Sequence, residues 1–166
     1  EAHGHMSDCL RYITHDLLRQ QYTEFSMGRK RSLYSESEFK FFNPVTEYDY
    51  DKTIVYLVQN FGGLFVLGRM ARIGDNWHLL DVCRRQVKGN EEMKDSVTDL
   101  AADLYVVECS TAYFPFVREL RNELGEVSVL RIGNDMRTRI TAMSDWVRSH
   151  VHINPETMSE PEYSGF

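Results

Sequence analysis

The chain contains 166 residues, of which 42% are hydrophobic and 27% are charged, a composition typical of one globular domain and not of a disordered segment. Its 19 Lys and Arg against 25 Asp and Glu give a net charge of -6. That balance excludes a protein that coats nucleic acid by bulk positive charge, but it allows a local basic groove. The longest apolar stretch, residues 54–58, is far shorter than the roughly 20 residues of a membrane span. Three cysteines at positions 9, 83 and 109 form no CxxC pair, which indicates a reducing compartment.

The N-terminal part of the chain divides into two pieces. Residues 1–6 resemble an expression-tag remnant, and we expect no function from them. Residues 7–37 are expected to hold an N-terminal helix, because Leu10, Ile13 and Leu17 recur at helical spacing, followed by a basic connection.

The rest of the chain places strands first and then alternates helices with strands. Runs of β-branched and aromatic residues predict strands at 39–45, 53–59, 64–73, 77–84, 104–107, 127–132 and 151–153. Helical periodicity predicts helices at 90–103, 113–124 and 135–150. This order predicts an α/β domain over residues 38–154, with a mixed central sheet, helices on both faces and the element order of the ribonuclease H-like fold. Residues 155–166 lack periodicity and are expected to form an irregular tail.

Glu108 is the most informative single residue, because it directly follows four apolar residues of a predicted strand. A carboxylate at that position is costly unless it is solvated, paired or bound to a cation. The strand end of a βα unit also lies at the functional edge of a sheet. The alternative is an ordinary exposed Glu or a cap of the next helix.

A second group of oxygen-bearing side chains lies between two predicted strands, at Asn43, Glu47, Asp49 and Asp51. Such groups suit a hard cation, Mg²⁺ or Mn²⁺, and two cations about 4 Å apart can support phosphodiester cleavage. The alternative is a solvated loop, because Asp and Glu are frequent in turns.

The chain resembles the C-terminal nuclease domain of the large terminase subunit of tailed bacteriophages, in pieces distributed from Phe39 to Pro155. These pieces are Phe42-Asn43-Pro44, Asp51-Lys52-Thr53-Ile54-Val55, Leu80-Asp81-Val82-Cys83-Arg84-Arg85, Val106-Val107-Glu108-Cys109-Ser110-Thr111 and Arg137-Thr138-Arg139-Ile140. In that family the first strand ends in a metal-binding aspartate, a second acidic residue follows about eight positions on, and a later strand ends in a catalytic acid. The resemblance assigns these catalytic and metal-binding positions to Asn43, Asp51 and Glu108. It implies an endonuclease that cuts concatemeric double-stranded DNA with two Mg²⁺ or Mn²⁺ ions, and strand 39–43 beside strand 104–108.

The sequence departs from this family pattern at two positions. Asn43 replaces the first carboxylate and offers a metal one neutral oxygen, so we expect weak metal binding. The family's further aspartate comes from a helix after the last strand, and no such residue follows Ile153. These two missing carboxylates leave a second interpretation open, a catalytically silent ribonuclease H-like module that binds DNA or docks to a packaging motor or portal. A third is a structural interaction domain without a nucleic-acid role.

Basic residues supply candidate phosphate contacts at Arg84, Arg85, Lys88, Arg137 and Arg139. The alternative for each is ordinary surface charge that favours solubility. The family resemblance implies double-stranded DNA, a portal protein and the small terminase subunit as partners, no membrane, and the cytoplasm of a bacterial host as the location.

Overall fold

A computed structural model describes Met6, Cys9, Leu10 and residues 39–59, 64–86, 89–109, 114–131 and 136–158. The strands in these ranges are β1 Lys40–Phe41, β2 Lys52–Gln59, β3 Leu64–Ile73, β4 Asn76–Gln86, β5 Leu104–Cys109, β6 Val127–Arg131 and β7 Val151–Ile153. The helices are α1 Asn90–Thr98, α2 Phe114–Leu124 and α3 Met136–His150, followed by a 3-10 turn at Pro155–Met158. Within these ranges, no helix is long and apolar enough to span a membrane.

The seven strands form one mixed sheet in the order β1-β7-β4-β3-β2-β5-β6. β2, β3 and β4 are joined antiparallel, whereas β5 lies parallel to β2 and β6 lies parallel to β5. β7 and β1 extend the other side of the sheet in parallel. The predicted mixed α/β architecture is therefore confirmed.

β2 is an interior strand of the sheet and contributes to two hydrophobic cores. Ile54, Tyr56 and Val58 face one core, which also contains Val147 of α3 and the N-terminal Leu10. Val55 and Leu57 face the other core, which α1 and α2 cover. Burial on both faces explains the continuous apolar run at this position, where a one-faced strand would alternate. It also confirms helices on both faces of the sheet.

Two glycines set the turns of this framework. Gly74 has φ 59° in the β3–β4 turn, and Gly125 has φ 80° at the end of α2, where its amide donates to the carbonyl of Arg121 at 3.0 Å. A positive φ is costly for a residue with a Cβ, so glycine is favoured at both turns. The C-cap expected at Gly125 is present.

The first predicted strand is the main error of the sequence analysis. Residues 39–45 contain only the two-residue β1, and β1 pairs with β7 at the edge of the sheet. The neighbours of β5 are β2 and β6, so the prediction that strand 39–43 lies beside strand 104–108 is wrong. The expected tail begins with the 3-10 turn, in which Thr157 is buried and its hydroxyl donates to the carbonyl of Asn154 at 2.7 Å.

The N-terminal predictions are covered only in part. Met6 and Leu10 are helical and are 1% and 0% exposed in the core. Met6 was expected to belong to a tag remnant. The remainder of 1–37 lies outside the described residues, apart from Cys9.

Candidate nucleic-acid interface

Glu108 is a buried carboxylate near the C-terminal end of β5. It is 4% exposed, and it lies opposite Val58 of β2 on one side and Leu130 of β6 on the other. The interpretation of Glu108 as an ordinary exposed residue is therefore wrong. A carboxylate between two apolar strand positions is held at a substantial desolvation cost unless polar groups or a cation compensate it.

Asn43 occupies a turn at the far side of the sheet. Its side-chain Oδ1 accepts a hydrogen bond from the amide of Val45 at 3.1 Å, and its carbonyl accepts one from the amide of Thr46 at 3.2 Å. With Pro44 between them, this is an Asx-type turn that begins just after β1. β1 and β5 are five strand positions apart in the sheet order, which corresponds to about 24 Å. The predicted joining of Asn43 and Glu108 in one metal site is therefore wrong.

Asp51 lies at the opposite end of β2 from Glu108. It precedes Lys52, the first residue of β2, whereas Glu108 pairs with Val58 near the end of that strand. Seven residues of extended chain span about 23 Å. The Oδ2 atom of Asp51 accepts a hydrogen bond from the amide of Gly74 at 2.8 Å and lies 3.9 Å from Arg72 Nε. Asp51 therefore stabilises the β3–β4 turn and does not join Glu108.

The strands next to Glu108 in this fold are β2 and β6. β2 has the sequence KTIVYLVQ and contains no carboxylate. Among the described residues, no three His, Cys, Asp or Glu side chains are grouped to hold a metal ion. The described residues therefore do not fit the carboxylate set that two divalent cations require.

The edge that carries Glu108 also gathers arginines. Arg84, Val66, Val58 and Glu108 stand in one row across four neighbouring strands, so the backbones of Arg84 and Glu108 are about 14 Å apart. Arg85 follows Arg84 at the end of β4.

One further strand brings a basic residue to this edge. Arg131 ends β6, pairs with Cys109 and is exposed. Arg137 and Arg139 stand in the first turn of α3, the next element after β6. Lys88 lies outside the described residues. Arg131 was missed by the sequence analysis, although a basic residue in a predicted strand beside the Glu108 strand was an available signal.

A second group of polar side chains, which the sequence did not predict, surrounds His78 on β4. His78 is 5% exposed, and its Nδ1 lies 3.0 Å from the hydroxyl of Tyr50. Burial lowers the pKa of His78, and the nearby His152 lowers it further. Burial also lowers the pKa of His152, with Lys40 as the second cause. The histidines of this chain show no metal-ligand spacing, so no pattern in the sequence indicated this cluster.

The fold is shared with solved structures of a large terminase. The chain aligns with the large terminase from a thermophilic bacteriophage at a TM-score of 0.53 and 16% identity, which covers 89% of this chain and 43% of that one. Against that terminase in complex with ADP, the TM-score is 0.54 at 13% identity, covering 82% and 40% of the two chains. Against the same terminase in complex with ATP-gamma-S, the TM-score is 0.53 at 14% identity, covering 82% of this chain and 41% of that one.

These comparisons show the fold alone. No protein-family model and no curated protein matches the sequence. The resemblance to the ribonuclease H-like part of a terminase is confirmed at the level of the fold. This chain spans about two fifths of the length of the terminase chains it matches.

Proposed function

We propose that this chain is the ribonuclease H-like domain of a viral DNA-packaging large terminase, and that it holds double-stranded DNA without cutting it. The proposed DNA-binding surface is the Glu108 edge, defined as the basic residues Arg84, Arg85 and Arg131 and the first turn of α3, at the edge of the sheet where Glu108 is buried. The fold shared with a phage terminase supports the packaging role. The chemistry of this edge supports binding without cleavage.

One observation carries the proposal: the row that runs from Arg84 through Val66 and Val58 to Glu108. It combines a basic residue with a single carboxylate, and the two positions between them are valines. Hydrolysis by two cations needs carboxylates from neighbouring strands to hold and neutralise the ions. A row with one carboxylate and several nearby arginines suits a phosphate backbone better.

Binding at this edge should be electrostatic and independent of DNA sequence. Arginines bind phosphate oxygens through paired N–H donors, and each neutralised phosphate releases counterions. The overall charge of -6 opposes DNA elsewhere on the surface, so the arginines also orient the duplex. Docking to a portal protein or a small terminase subunit, and a location in the host cytoplasm, follow from the same proposal and stay predictions.

The second candidate function is the metal-dependent endonuclease. It is favoured by the burial of Glu108 at a strand end, because Glu is almost never fully buried in a purely structural role and buried carboxylates mark functional sites more often than exposed ones do. A further carboxylate is available in the sequence between β6 and α3, at Asp135, outside the described residues. The two candidates differ in one outcome, the breaking of a phosphodiester bond.

The test combines a cleavage assay with a binding assay on the same protein. Supercoiled plasmid is incubated with the protein and Mg²⁺ or Mn²⁺, and a labelled duplex is titrated with protein at several salt concentrations. We expect the plasmid to stay supercoiled and the duplex to bind at low salt. Arg131→Ala should reduce the slope of log affinity against log salt by about 0.9. Arg72→Ala, on the exposed opposite end of β3, should leave the slope unchanged.

Two results would contradict the proposal. Conversion of plasmid to nicked or linear forms that Glu108→Ala abolishes would establish the endonuclease instead. Failure of the unaltered protein to bind duplex at low salt, or equal effects of Arg131→Ala and Arg72→Ala, would remove DNA binding from this edge. Circular dichroism of each variant controls for folding.

A further inference from the structure

Residues 42–50, here called the strap, contact β4 on its face opposite the core that contains Val147. Trp77 and Leu79 of β4 face the opposite core, so the intervening His78 faces the strap. We propose that the strap is a pH-sensitive cover, which neutral His78 holds against the sheet and which protonation of His78 loosens.

Three aromatic residues of the strap contact the one imidazole. Phe42 stacks on it with ring centroids 4.3 Å apart and planes 11° from parallel. Tyr48 and Tyr50 meet it edge-on at 4.7 Å and 5.5 Å, and the Tyr50 hydroxyl is within hydrogen-bonding distance. Residues 42–50 contain no strand, since β1 ends at Phe41 and β2 begins at Lys52. The contacts with His78 are therefore a large part of what fixes the strap to the sheet.

Glu47 and Asp49 of the strap are exposed, and Asp81 of β4 pairs with Arg69, so the acidic residues of this region are solvated or paired. The groups that contact the His78 ring itself cannot neutralise an imidazolium. On the strap they are the two phenols of Tyr48 and Tyr50, and on β7 the group is the second imidazole, His152, at 5.5 Å. Lys40 of β1 acts on His152 and adds positive charge to the neighbourhood. On β3 the residue opposite His78 is Ala71, which is neutral. A proton on His78 would therefore be buried among neutral or positively charged groups.

The direction of the pH effect follows from these surroundings. Burial and His152 lower the pKa of His78 below its ordinary value, which is about 6.5. Once the strap lifts, water reaches the ring and removes the larger cause, burial, so the pKa of His78 rises toward its ordinary value, although His152 stays beside it on β7. The opened form therefore binds more protons, and the strap is held fully above pH 6.5 and loses stability as the pH falls below about that value.

Lifting of the strap would remove one wall of a surface cavity of about 490 Å³. The strap supplies part of its wall through Phe42, Tyr48 and Tyr50, and the sheet supplies Arg69 and Asp81. Arg69 Nε donates to Asp81 Oδ2 at 2.7 Å. Acidification would thus expose an aromatic surface and an ion pair that are partly covered at neutral pH.

The experiment measures hydrogen exchange of the strap in the full chain as a function of pH. The reporter is the amide of Phe42, which donates to the carbonyl of Ile153 at 3.2 Å. Its protection factor, corrected for intrinsic exchange, should fall about tenfold for each unit that separates the pKa of His78 in the closed and open forms. An amide of central β2, such as that of Tyr56, should keep its protection.

The variant His78→Phe retains the ring stack and cannot titrate, so its Phe42 protection should no longer depend on pH. His150→Phe is the matched control, because His150 stacks on Trp146 of α3 and does not contact the strap. It should behave as the unaltered protein does. The proposal is overturned if His78→Phe retains the full pH dependence, or if NMR titration of the His78 ring gives a pKa at or above 6.5. The NMR titration decides the matter even if His78→Phe does not fold.

Discussion

Val58 and Glu108 lie directly opposite each other on the parallel strands β2 and β5, and they are 1% and 4% exposed. The two positions are neighbours on adjacent strands, and one of them is apolar. The consequence is that β2 and β5 together place one buried carboxylate, and not two, at this edge of the sheet.

Replacing Val58 by Asp should create a metal-dependent stability that the natural pair lacks. Two buried carboxylates at adjacent positions repel each other, so Val58→Asp should be destabilised by about 3–5 kcal/mol without metal. Mg²⁺ or Mn²⁺ at millimolar concentration should recover part of this loss, because binding to the native state alone stabilises it. The measurement is thermal unfolding with and without metal. Val58→Asn is the control with the same shape, and an equal response of both variants to metal would argue against a cation position beside Glu108.

Asn43→Asp should not alter metal binding, because Asn43 lies in the turn after β1 and about five strands from Glu108. The carboxylate of Asp can accept the same Val45 amide, so the free energy of unfolding should change by less than about 0.5 kcal/mol. Asn43→Ala removes the acceptor and should cost about 1 kcal/mol. Urea unfolding checks stability, and calorimetric titration with Mn²⁺ checks binding. Tighter Mn²⁺ binding by Asn43→Asp would restore the family's assignment of this residue.

Asp51→Ala should lower stability without changing affinity for DNA. It removes the acceptor of the Gly74 amide, at a cost of about 1 kcal/mol for an exposed turn. Asp49→Ala, on the same exposed stretch, serves as the control and should leave stability within about 0.5 kcal/mol. Urea unfolding and duplex titration give the two readings. An Asp51→Ala protein of unchanged stability would show that the hydrogen bond contributes nothing in solution.

Local sequence signals predicted most of the fold correctly. The strand that contains Glu108, the helix ending before Gly125 and the short strand at 151–153 are all present. Each is encoded by neighbours in sequence: a β-branched run, a glycine with positive φ or an apolar stripe. Asn90, a residue type that favours the N-cap position, is here the first residue of α1, and Gly89 is the N-cap.

The candidate site could not be assembled in the same way. β1 pairs with β7, more than a hundred residues further along the chain. Because β1 has only two residues, its sequence contains no hydrophobic pattern that could specify so distant a partner. A local signal did exist in Asn43-Pro44, a pair typical of a turn. The cluster around His78 depends on three separate parts of the chain, so periodicity did not reveal it.

Gly68→Ala tests the contact between the N-terminal helical residues and the sheet. A Cβ on Gly68 would overlap Leu10 Cδ2 and lie 2.9 Å from Leu10 Cδ1, and Leu10 is fully buried. We expect a loss of about 1–3 kcal/mol from overpacking, against about 2–5 kcal/mol for Leu10→Ala, which leaves a cavity. The added methyl fills part of that cavity, so the double variant should lose at least about 0.5 kcal/mol less than the sum of the two single losses.

Gly89→Ala is the control, because nothing lies within 4 Å of its Cβ position, and its free energy of unfolding should stay within about 0.5 kcal/mol of that of the unaltered chain. Urea unfolding of the four proteins and the unaltered chain gives these energies, and strict additivity of the two single changes would mean that Leu10 does not pack against Gly68 in solution.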